Sequence, residues 1–104
     1  MAHQVFGDPI TVSTTAQSLT ALLGINDITF GPLTIRAETS AKGQAGRIWI
    51  GRSAALNSAG SHALGYLDAG DAIGIDQLGS THTDAVWVCG TNAGDKAYVF
   101  GVSY

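Results

Sequence analysis

The chain has 104 residues, 45% of them hydrophobic and only 12% charged, with a formal net charge of −3. That length holds one domain with one core, and that hydrophobicity excludes an intrinsically disordered chain. Its five cations, Arg36, Lys42, Arg47, Arg52 and Lys96, form no run, so neither nucleic acid nor an anionic membrane is an expected partner.

The first eight residues, Met1 to Asp8, read as an N-terminal arm or tail. The apolar Val5-Phe6 pair within them calls for burial, and an arm exchanged between subunits is one way to achieve it. No basic segment followed by an apolar stretch opens the chain, so no signal peptide is expected. The apolar runs all fall short of the ~20 residues that a membrane helix needs. Asp8-Pro9 suits a strand start, with Ile10-Thr11-Val12 following. Thr14 and Gln17 then have the spacing of a capping box. Ala16, Leu19, Leu22 and Leu23 recur at helical intervals before Gly24, which predicts a short helix over Thr15 to Leu23. A first strand extended from Ile10 to Leu19 is the alternative.

Leu33 to Glu38 alternates, with Leu33, Ile35 and Ala37 inward and Thr34, Arg36 and Glu38 outward. A glycine-bearing turn from Lys42 to Gly46 leads into Arg47-Ile48-Trp49-Ile50-Gly51. The turn Asp68 to Asp71 leads into Ala72 to Asp76. Ala85 to Cys89 is apolar on both faces, which implies cover on both sides. Ala97 to Tyr104 places Tyr98, Phe100, Val102 and Tyr104 on one side. Gly74 and Gly101 fall within strands, where a bulge or close backbone approach is expected. Six or more short strands with frequent turns predict an all-β fold. The expected form is a small antiparallel, jelly-roll-like β-sandwich spanning residues 1–104, with at most one short helix near residues 15–23.

Candidate chemistry is sparse. Asp68, Asp71 and Asp76 are the densest carboxylate group, and oxygen ligands suit a hard cation. A strand between Asp71 and Asp76 would hold those two roughly 16 Å apart, however, too far to share an ion. Turn chemistry accounts for them without a metal. His3, His62 and His82 lack ligand partners at metal spacing. The sequence His82-Thr83-Asp84 offers a His–Asp pair, but no serine sits in a nucleophile-elbow context. Phosphate-loop motifs are absent. Cys89, the single cysteine, reads as a buried reduced thiol, consistent with an intracellular origin. No catalytic residue, metal or cofactor is therefore expected.

The aromatic residues are the stronger candidates. Trp49 alternates with Ile48 and Ile50, so if those are core, Trp49 faces outward. Phe6, Trp49, Tyr66, Trp87, Tyr98 and Tyr104 are the candidate interface residues, since aromatic side chains are enriched where subunits meet. A sugar-stacking surface built on Trp49 and the tyrosines is the alternative use.

The order of segments resembles small phage virion proteins. The run Ile10 to Leu23 is similar to their opening, followed by segments like Leu33 to Ala37 and Ile48 to Gly51. A Ser/Asn-rich loop, Ser53 to Ser61, comes next, then the turn Leu67 to Asp76. Asp84 to Gly90 and Ala93 to Phe100 resemble the end, so the similarity covers nearly the whole chain. Trp49 and Cys89 depart from the small or aliphatic residues expected there. The resemblance implies a capsid decoration (cement) or head-fibre type of protein, without catalytic residues. It further implies a homo-oligomer, with a trimer favoured, whose partner is the major capsid protein or another virion protein. The expected location is thus the virion, assembled in the host cytoplasm.

Overall fold

Period-two alternation turns one apolar face of each strand inward. In the computed structural model, which describes residues 4–26, 28–29, 31–42, 46–75 and 82–103, the strands form two antiparallel sheets. In chain order they are β1 (Gln4–Thr11), β2 (Gln17–Ser18), β3 (Leu33–Ala37) and β4 (Ile48–Gly51). β5 (Gly65–Leu67), β6 (Ala72–Ile75), β7 (Trp87–Gly90) and β8 (Lys96–Ser103) follow. One sheet has the order β1-β8-β3-β6 and the other β2-β7-β4-β5.

The ladders pair β1 with β8, β2 with β7, β3 with β6 and β4 with β5. That nesting is one long hairpin with β4 and β5 at its tip. It is rolled until β8 also meets β3 and β7 also meets β4. An eight-stranded double sheet wound this way is a jelly roll. The sandwich expected from the sequence is the fold that forms.

Its core lies between the sheets. Leu33, Ile35 and Ala37 of β3 point inward and are buried, while Thr34 and Arg36 point away. Ile48 and Ile50 of β4, Val88 of β7, and Ala97 and Val99 of β8 meet them, with Ile10, Val12 and Leu19 completing the layer. Burying each large aliphatic side chain contributes about 1.5–3 kcal/mol.

The helix is shorter than its spacing predicts. α1 covers Leu19–Leu23, and Ser18, not Thr14, caps it by accepting the Ala21 N–H at 3.1 Å. Gly24 closes it at φ 72°, in the expected C′ role. Gln17 and Ser18 instead pair with Val88 and Trp87 as β2. A ladder to a core strand outcompetes an extra helical turn there. The long first strand does not form either, since Val12 bonds the β7–β8 turn through Asp95 O and the Gly94 N–H.

Gln4 to Asp8 belong to β1 and pair residue by residue with β8 of the same chain, so this stretch is no loose tail. Pro9 sits inside β1 rather than at its start. An edge strand tolerates it, because one side of the strand needs no N–H partner. Gly74 pairs in register with Thr34 without a bulge. Ala85 belongs to a 3-10 turn, Thr83–Ala85, and the strand begins at Trp87. His3, Asp76, Tyr104 and residues 43–45 of the expected turn lie outside the described residues.

Candidate interaction surface

β8 separates its residues by face. Ala97, Val99 and Gly101 are buried, while Tyr98, Phe100 and Val102 turn to the outer side of the first sheet. Directly opposed residues in an antiparallel ladder share a face. On β1 these are Val5 opposite Val102, Gly7 opposite Phe100 and Pro9 opposite Tyr98. On β3 they are Thr34 opposite Phe100 and Arg36 opposite Tyr98. Val5, Pro9, Tyr98, Phe100 and Val102 thus form one apolar strip across two strands. Val5 is 82% exposed, Phe100 52% and Tyr98 39%.

A polar margin borders the strip. The Tyr98 hydroxyl donates to the Glu38 carboxylate, which also accepts the Thr39 N–H at 2.9 Å. The bond from Tyr98, and then that from Thr39, holds the Glu38 carboxyl below its ordinary range. The same bond pushes the Tyr98 phenol above its own.

The outer side of the second sheet carries Trp49, Tyr66 and Trp87, but the chain itself covers much of it. Trp49 is half-buried, and its indole N–H donates to Ser58 O at 3.2 Å. Gly60, at φ 86°, packs on the same ring, where an added Cβ would lie 2.8 Å from the indole. Tyr66 meets Trp49 edge-on with centroids 5.5 Å apart. The Arg47 guanidinium lies 4.1 Å from the Tyr66 ring centre, and Arg47 Nε pairs with Asp68 Oδ1 at 3.0 Å. The Ser53–Ser61 loop therefore folds onto the tryptophan that the sequence left facing outward.

Cys89 belongs to this outer face too, opposite Trp49. Its cover is local: the thiol donates to Thr14 O at 3.2 Å, and burial raises its pKa. The second cover expected for Ala85 to Cys89 comes, at Cys89, from the chain's own Ser13–Thr15 segment and needs no subunit.

The expected interface residues do not converge. Tyr98 lies on the first sheet, while Trp49, Tyr66 and Trp87 lie on the opposite one. Phe6 turns inward, packs against the core and meets Gly101. Its neighbour Val5 is exposed, against the expectation that both seek burial. Val5 and Pro9 carry no interface signal in the sequence, because only their register with β8 puts them beside Phe100.

Asp68, Asp71, His82 and Asp84 have structural partners. Asp71 Oδ2 accepts the Asp68 N–H at 3.0 Å, closing the turn before β6. His82 Nδ1 lies 2.8 Å from Asp84 Oδ1 and caps the 3-10 turn. Among the described residues, no three His, Cys, Asp or Glu side chains are placed to hold a metal ion, and no helix is long and apolar enough to cross a membrane.

The fold and this surface define a class, a small jelly-roll sandwich with an exposed apolar strip. No family model, curated protein or solved structure matches the chain.

Proposed function

We propose that the chain is a non-enzymatic structural protein of a phage virion, decorating or cementing the capsid as an oligomer. The exposed strip from Val5 across Tyr98 and Phe100 to Val102 carries this reading. An apolar centre with a polar margin is the anatomy of a protein–protein interface, and a rigid sheet presents it without ordering a loop. The order of segments along the chain, which resembles small virion proteins, supplies the virion and favours a trimer. Three copies of one modest contact bind an array of capsid subunits with avidity. The reading needs no cofactor.

A carbohydrate- or receptor-binding module is less well supported. Its central aromatic, Trp49, already packs against Gly60, Ser58 and Tyr66, which leaves less ring surface for a sugar.

Light scattering tests the proposal. The wild-type chain is expected at a multiple of its 10.7 kDa mass, three-fold for a trimer, and Phe100→Asp is expected to return it to monomer. A monodisperse wild-type monomer at micromolar concentration overturns the oligomer on which the reading rests.

A further inference from the structure

A second feature lies away from the exposed strip, where the sandwich gapes. β5 has three residues and β6 four, against eight each in β1 and β8. Between those short strands the sheets leave a cleft of about 310 Å³. Its walls are apolar, built from Ile50, Ile73, Ile75 and Val86, with Leu64 at the lip. Leu64 is 72% exposed, an unusual position for a large aliphatic side chain. Beyond it lies a second hollow of about 470 Å³, lined by Arg52, Ser53 and His62.

The two hollows adjoin at Leu64, and the chain neighbours Gly51 and Arg52 fall one on each side. No carboxylate among the described residues lines either hollow. Among the described residues, the ion pairs join Arg47 to Asp68 and His82 to Asp84, so Arg52 has no acidic partner there. His62 has φ 63°, the only non-glycine described residue with positive φ. Backbone held this way costs stability and persists where surrounding structure enforces it.

An apolar cavity with a few polar groups at one end is the usual plan of a small-molecule site. The groups here are a permanent cation, an imidazole and a hydroxyl, donors suited to a carboxylate. We infer that this groove binds a monomeric alkyl carboxylate, its chain among Ile50, Ile73 and Ile75 and its head group at Arg52 and His62. The inference is independent of the exposed strip, since none of the residues lining the two hollows belongs to it.

Titration of the full chain with decanoate, followed by methyl NMR, tests it. Saturable binding is expected, with shifts concentrated on the Ile50, Ile73 and Ile75 methyls. The double variant Arg52→Glu/His62→Asn is expected to bind about tenfold or more weakly, the scale of a lost charge-assisted bond. Both positions are exposed, and asparagine tolerates a positive φ, so the variant keeps its fold; an unchanged methyl spectrum before titration checks this. Decanol is expected to bind weaker by a similar factor. Absence of binding, shifts centred on Val5 and Val102, equal affinity for decanol, or wild-type affinity in the double variant would each overturn the inference. None of these readouts depends on the mass in solution.

Discussion

Tyr98 has two roles. Its ring is part of the exposed apolar strip, while its hydroxyl holds Glu38 at the margin. Because Glu38 titrates below its ordinary range, its contribution to stability is present above the unfolded pKa and is lost as pH falls through the folded value. Tyr98 titrates above its ordinary range, so its contribution is present below the unfolded pKa, about 10, and is lost as pH rises through the folded value. The pair supports the fold between those limits and weakens beyond both. Tyr98→Phe is expected to raise the Glu38 pKa only part of the way to its ordinary value, since the Thr39 N–H still donates. Carbon-detected NMR titration of the Glu38 carboxyl reads this directly, and an unchanged midpoint would show that the bond has no such effect. At this scale the sequence was informative wherever period two applied, as for Tyr98 and Phe100. It put Trp49 on the outer face but did not show its cover, because the loop that comes to rest on a ring follows from tertiary packing and leaves no periodic signal.

Among the elements, the strands legible in advance were β3, β4, β6, β7 and β8, with the inner end of β1 at Ile10 and Thr11. β2 and β5 are two and three residues long, too short to show alternation, and they exist because a core strand offers them a ladder. The helix was overextended for the same reason, its predicted first turn being taken up by β2. The connection between β4 and β5 shows how a loop becomes part of the fold. Gly60 sits at φ 86° against the Trp49 ring, where a side chain meets both a disfavoured backbone and a clash. Gly60→Ala is expected to cost about 1–3 kcal/mol. Gly94 provides the comparison, since it has φ 92° but no heavy atom within 4 Å of an added Cβ. In urea melts Gly60→Ala should lose clearly more stability than Gly94→Ala. Equal losses would mean that the loop does not press on the indole.

For the molecule as a whole, the sandwich class was readable from strand number and turn spacing, whereas the strand order was not. Three of the four nested pairs join segments far apart in sequence, β1 with β8 most of all, and no local pattern encodes them. Such topology is slow to form, because loop closure precedes the contacts that reward it. Refolding monitored by the fluorescence of Trp49 and Trp87 is expected on the order of milliseconds to seconds. A microsecond phase carrying the full amplitude would contradict that expectation.

Gln4 stands opposite Ser103 at one end of the β1–β8 ladder, so the outer ends of these two strands leave the domain side by side. The chain is therefore suited to circular permutation. A short linker between those ends, with new termini opened in the exposed Thr91–Gly94 turn, makes β8 and β1 a neighbouring hairpin. Every ladder survives, yet the most distant pair in the sequence becomes the most local, and the slowest closure is removed. The same corner governs fusions. A tag joined at Gln4 or Ser103 stands beside Val5 and Val102 and shades the apolar strip from whatever would dock there.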